Sequence, residues 1–216
     1  ALGLEKVNLH RRIALTIIKK TGTSPNKVIL GFMIATAFMS MWISNTASTV
    51  VMLPIALSVI NLLIDQQESS TKQTQNFALS VMLGIAFSAN AGGIATVIGT
   101  PPNSVLIGLL ENEYQIQISF VKWMMIGLPF AIVMITVIYL VLVYGMFSTK
   151  GLQFSASQEV IDNELKKLGP IKPKEKQVLW VFGIVVSLWI FRTLINSVFP
   201  GLKLSDTVIS ILGALA

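Results

Sequence analysis

Residues 28–64 carry no charged side chain and no histidine, and neither do residues 77–110. Two uncharged runs of this length restrict the chain more than any other feature. A helix needs about 20 apolar residues to cross a bilayer. The first run is too long for one crossing and short for two with a loop between them. Both runs are also interrupted by polar or helix-breaking residues: Ser44-Asn45-Thr46 in the first, and Asn90-Ala-Gly-Gly through Gly99-Thr-Pro-Pro-Asn103 in the second. Non-helical backbone at membrane depth is tolerated only where protein buries it or where it lines a water-filled cavity.

Composition supports an all-α polytopic membrane protein. Of 216 residues 53% are apolar and only 12% are charged, too charge-poor for an ordinary soluble domain. The net charge of +6 is gathered in short basic segments beside apolar runs, so it reads as a topology signal and not as a nucleic-acid surface. There is no cysteine, and the single histidine, His10, cannot build a metal centre alone. With no nucleophile–base pair and no metal cluster, the sequence does not read as an enzyme. Neither end reads as a natural terminus, so the chain is expected to be a fragment of a larger protein.

The segments follow in order. Residues 1–27 are expected to be a cytoplasmic connecting segment, with 4–21 either an amphipathic helix lying on the membrane surface or the polar end of a preceding spanning helix, and a turn at 21–26. Residues 28–64 are followed by a polar loop at 65–76, and the broken stretch 77–110 by an acidic loop at 111–117. Residues 120–147 form a spanning helix, 148–177 a lysine-rich cytoplasmic linker, and 178–199 another span. A last helix begins near Thr207. If both basic segments are cytoplasmic, the crossings between them must be even in number. One crossing each for 77–110 and 120–147 leaves zero or two for 28–64. A re-entrant hairpin supplies zero and places its tip near residue 45; two short spans also satisfy the count.

The chemistry at the breaks follows from residue type. Ser40 and Ser44, four apart, would share a helix face. With Asn45 and an exposed carbonyl at Gly99 they offer neutral hard oxygens, suited to a monovalent cation. Thr46 would cap a half-helix starting about Ala47, and Thr100 one opening with Pro101. Both helix ends would then turn unpaired N–H groups toward one anion. The lack of intramembrane ionisable groups favours sodium over proton coupling. Ser, Thr and Asn in membrane helices ordinarily serve as interhelical hydrogen bonds, and Gly92 and Gly93 as close-packing positions. Trp42 and Trp123 read as packing or interface residues, Pro54 as a kink, and Arg192 as a snorkelling residue.

"SNTAST", "GTPPNSVLIG" and the leading "EKVNLHRRIAL" together resemble the divalent anion:sodium symporters, the dicarboxylate and citrate carriers. The resemblance implies a homodimeric, multi-pass plasma-membrane carrier built from two inverted repeats. Each repeat has a hairpin tipped by Ser-Asn-Thr and a broken helix, and the helix matching 4–21 joins a fixed scaffold to a transport domain that moves like an elevator. It further implies a sodium site at Ser40, Ser44, Asn45 and Gly99, and substrate contacts at Asn45, Thr46 and Thr100. A transport part over 28–147 would move against scaffold and dimer-side helices over 178–216. The second Ser-Asn-Thr tip is absent, so half the substrate site is expected here. The implied activity is sodium-coupled transport of C4 dicarboxylates such as succinate, malate or fumarate. The alternatives are a sodium-independent exchanger and, from another class, an ion channel.

Overall fold

The computed structural model describes residues 3, 6–7, 9–22, 24–65, 72–149, 152, 157–199, 201 and 204–215, with only the backbone at 62–65, 157–160 and 193. Among these residues the chain is helical throughout, without strands. The helices are α1 (Leu9–Thr21), α2 (Pro25–Ser40), α3 (Asn45–Asp65), α4 (Lys72–Ile94), α5 (Pro101–Tyr114), α6 (Phe120–Leu140), α7 (Ser157–Leu168), α8 (Pro173–Val198) and α9 (Asp206–Leu215). A π-helical turn, Val141–Met146, extends α6.

The two uncharged runs supply the centre of the molecule. α2 is buried nearly all round, with Val28, Ile29, Phe32, Met33 and Ala35 fully enclosed. α1 and α4 pack against this helix, so protein covers most of its apolar surface. Glycines set the spacing at two crossings. A Cβ on Gly92 would stand 2.3 Å from the Ala37 carbonyl oxygen, and one on Gly31 would stand 3.2 Å from Ile18 Cα. α4 also carries α3 and α6 against its other faces.

The apolar face of α1, Ala14, Leu15 and Ile18, is fully buried against protein. Its polar face is clasped by α7, which lies within the segment expected to be a linker. Arg12 Nε donates to Glu175 at 2.9 Å, and Arg12 also donates to the carbonyls of Leu168 and Gly169 at the end of α7. A guanidinium there meets the negative end of the α7 dipole. Gly169 has φ +66°, a left-handed stop that costs a glycine little. Lys19 pairs with Asp162, and Arg11 and Lys167 converge on Glu164.

A second apolar cluster joins the remaining helices. Phe120 stacks on Trp189 at 4.7 Å, and Trp42, from the turn after α2, meets Phe182 edge-on at 4.9 Å. Arg192 does not reach away from the protein as expected; it pairs with Asp206 at 2.9 Å, and Asp206 also accepts the Phe120 N–H that opens α6. α6 itself is largely uncovered, with Met125 and Ile126 70% and 77% exposed. With its π extension it is one of two helices among the described residues long and apolar enough to cross a membrane; the other is α4.

Candidate functional site

The first break occupies Met41–Ser44. α2 stops at Ser40, and the N–H groups of Met41, Trp42 and Ile43 still reach back to the Ala37 and Met39 carbonyls. The following helix opens at Asn45. Its cap is Ser44: the hydroxyl accepts the Ala47 N–H at 3.2 Å and the carbonyl accepts the Ser48 N–H at 3.0 Å. This shifts two sequence expectations. Thr46 is not the cap but an exposed first-turn residue, because the more N-terminal Ser44 takes the role a serine favours. Ser40 and Ser44 do not share a helix face, because the helix ends between them.

The second break runs from Ala95 to Thr100. Thr100 is extended, at φ −148° and ψ 142°, and Pro101 follows as the first helical residue. Thr100 therefore holds the N-cap position expected of it, although its side chain makes no cap bond. The carbonyls left over at the end of α4 are satisfied by side chains that the sequence reading did not assign. Buried Asn103 donates through Nδ2 to the carbonyls of Gly93 and Thr96 at 2.9 and 2.8 Å. Trp123 Nε1 donates to the Ile94 carbonyl at 2.9 Å. α6 comes this close because Gly127 lacks a Cβ, which would stand 2.7 Å from the Ile94 oxygen.

The two breaks meet. Thr96 Oγ1 donates to the Met41 carbonyl at 2.5 Å. The buried Ser40 hydroxyl lies 2.7 Å from both Asn45 Oδ1 and the Ala89 carbonyl, and Asn45 Nδ2 donates to Asn90 Oδ1 at 3.0 Å. Gly93 does more than the helix packing expected of it. A Cβ there would stand 2.3 Å from Asn45 Oδ1, so the glycine makes room for that amide. Gly99 is equally confined: its Cβ would stand 2.4 Å from the Gly93 oxygen and 2.9 Å from the Ser40 oxygen. Ser40, Asn45 and Gly99 are thus neighbours, although 59 positions of chain separate the first from the last (99 − 40). Ser44 and Thr46 flank them on the exposed side, and Thr100 is half-buried at the start of α5.

Chemically this is a cluster of uncharged oxygens with no ionisable side chain among them. Hydroxyl, amide and backbone oxygens of this kind suit a hard cation of low charge. Asn90, Thr96, Asn103 and Trp123 are the residues that sequence reasoning left without a role at the site. Asn90 and Asn103 carried a signal, as lone amides bounding the second break. Thr96 and Trp123 carried none, since hydroxyls and indoles are common in such helices.

A family model described as "Sodium:sulfate symporter transmembrane region" matches residues 1–215. The curated protein "Sodium-dependent dicarboxylate transporter SdcS" of Staphylococcus aureus (strain USA300) is 42% identical over 194 residues, covering 89% of this chain and 37% of the relative. The protein of the same description from strain NCTC 8325 / PS 47 matches to the same extent. The chain therefore spans a little over a third of the length of these relatives.

Proposed function

The chain belongs to the sodium:sulfate symporter family, as an integral membrane part of it, and on that premise we propose that the whole protein carries C4 dicarboxylates across the plasma membrane coupled to sodium. The observation that carries this reading is the meeting of the two helix breaks in a charge-free oxygen cluster. The relatives named for sodium-dependent dicarboxylate transport support the choice of ion and of substrate class.

In this reading sodium enters among Ser40, Ser44, Asn45 and the Gly99 carbonyl. It neutralises the crowding of oxygens there and orders the Met41–Ser44 turn. The ordered turn then offers Asn45, Thr46 and Thr100, with the N-terminal N–H groups of α3 and α5, to one carboxylate of succinate, malate or fumarate. Partial positive charge at helix starts makes an arginine unnecessary for holding such a group. α2 has 16 residues, about 24 Å at 1.5 Å per residue, shorter than a bilayer core of about 30 Å. That length suits a re-entrant arm. The part over 28–147 would translate past 178–216 in an elevator movement within a homodimer, the partner half-site coming from elsewhere in the protein.

The test is uptake of labelled succinate by the full-length protein in proteoliposomes. Uptake is expected to require an inward sodium gradient and to vanish when choline replaces sodium. Equal uptake in choline would overturn sodium coupling. Uptake of sulfate with no uptake of succinate would overturn the substrate class.

A further inference from the structure

Beside the first break, two acceptors compete for one proton. The Ser40 hydroxyl oxygen is 2.7 Å from Asn45 Oδ1 and 2.7 Å from the Ala89 carbonyl oxygen. A hydroxyl has a single proton to donate. If Ala89 receives it, Asn45 Oδ1 is left facing a lone pair at hydrogen-bond distance, in a pocket where Ser40 is fully buried. Two arrangements relieve the clash. A cation can sit against the crowded oxygens, or the Asn45 amide can turn end for end so that Nδ2 donates to Ser40. The two ends of an amide have nearly the same shape, so both orientations fill the same space. Gly93 gives the turning amide its clearance, since a Cβ there would stand 2.3 Å from Oδ1 and 3.2 Å from Nδ2.

The other end of the Asn45 amide meets Asn90, 3.0 Å away. When Asn45 Oδ1 faces Ser40, its Nδ2 faces Asn90, and Asn90 must present its own Oδ1 inward. The Asn90 NH2 is then left outward, and Asn90 is exposed. When Asn45 turns, its oxygen faces Asn90, which must turn as well and leave its carbonyl oxygen outward. An outward NH2 donates to a carboxylate; an outward carbonyl repels one.

We propose that Asn45 and Asn90 form a geared amide pair in which Asn90 is a further specificity-determining residue, coupling a cation on the Ser40 side to a carboxylate on the outer side. Sodium fixes Asn45 Oδ1 inward, and the gear turns the Asn90 donor outward. Substrate held by that donor resists the reverse turn, so each ligand tightens the other by the same factor. The pair rests on the sodium–dicarboxylate reading above and adds to it a route for the coupling.

The test uses thermal unfolding of purified full-length protein, since a ligand that binds the folded state raises Tm and reports its own affinity. Sodium is titrated alone, then succinate is titrated at low and at saturating sodium. Asn90→Asp can only accept hydrogen bonds, so it locks Asn45 in the cation-ready orientation while presenting negative charge outward. It is expected to leave the sodium midpoint unchanged or lower it, since the orientation is locked and the added charge attracts a cation, and to weaken succinate by about tenfold or more, the loss of one hydrogen bond to a charged group. Asn90→Ala removes the gear, and the sodium-induced tightening of succinate should shrink by at least about fivefold. Equal weakening of both ligands in Asn90→Asp, unchanged succinate affinity in it, or full coupling in Asn90→Ala would overturn the pair. A wild-type protein whose Tm ignores sodium would overturn the sodium reading itself, and the pair with it. Wild-type coupling alongside any of the variant failures would overturn the pair alone.

Discussion

The Thr96 hydroxyl donates to the Met41 carbonyl across 2.5 Å and so ties the second helix break directly to the first. Thr96 is fully buried, so the bond has little competition from water. Thr96→Val keeps the shape and removes the donor, leaving a carbonyl unsatisfied at a cost of about 1–3 kcal/mol. Sodium half-saturation of uptake should rise several-fold in Thr96→Val and return toward wild type in Thr96→Ser. A Val variant with unaltered sodium half-saturation would show that the tie has no part in cation binding.

Asn45 stands where Ser40, Gly93 and Asn90 converge. Asn45→Ala removes a proposed sodium ligand and a proposed carboxylate contact together. It is half-exposed and contributes little to the apolar core. Uptake is expected to fall to background while the protein still elutes as a single folded species with Tm within a few degrees of wild type. Residual uptake near the wild-type level would remove Asn45 from the site.

Gly99 and Gly108 make a matched pair of substitutions. A Cβ at Gly99 meets backbone oxygens at 2.4 and 2.9 Å, which no rotamer change relieves, whereas a Cβ at Gly108 meets nothing within 4 Å. Gly99→Ala should abolish sodium-dependent uptake by pushing the two breaks apart. Gly108→Ala, inside α5, should leave uptake intact and raise stability by up to about 1 kcal/mol through helix propensity. Uptake and thermal unfolding of the two variants check this, and an active Gly99→Ala carrier would contradict the crowding argument.

Glu164 ties α7 to α1. Its carboxyl is held below the ordinary glutamate range, chiefly by the Lys167 hydrogen bond and further by the charge of Arg11, against an opposing contribution from burial. A carboxylate with a lowered folded-state pKa contributes stability that is fully present above its unfolded value. That contribution is lost as pH falls through the folded value. The Tm difference between wild type and Glu164→Gln should therefore be constant near neutral pH and narrow only below the ordinary glutamate pKa of 4.5. It should also shrink in high salt, since Arg11 and Lys167 are well exposed, with side chains 38% and 72% accessible. A difference that persists unchanged to the lowest measurable pH would assign the role to packing.

Much of the site was legible before folding was considered, because a polar residue in a charge-free apolar run has to be explained locally. Ser44-Asn45-Thr46 and Gly99-Thr100-Pro101 announced two breaks, and both are found there. Legibility failed where a side chain's partner is exposed only by the place where a helix ends or by the way two helices cross. Asn103 shows no role in the sequence, because the carbonyls it satisfies are freed only once α4 ends at Ile94. Trp123 reads as a packing or interface residue in the sequence because nothing local shows that Gly127 lets α6 approach the Ile94 carbonyl. For α1, amphipathic spacing does not say whether lipid or protein covers the apolar face, and protein covers Ala14, Leu15 and Ile18.

The sequence by itself determined the membrane setting, the positions of both helix breaks and the neutral character of the oxygens they expose. Those are consequences of composition and of local backbone chemistry. Tertiary structure alone decided that the breaks meet, that Ser44 and not Thr46 caps α3, and that Asn45 faces Ser40 on one side and Asn90 on the other. The physical reason is that α2 and α4 touch at backbone distance at Gly92, while Gly93 leaves room for the Asn45 amide and Gly99 for the Gly93 and Ser40 backbone oxygens. Such contact depends on how two helices cross, and no spacing within either one encodes it.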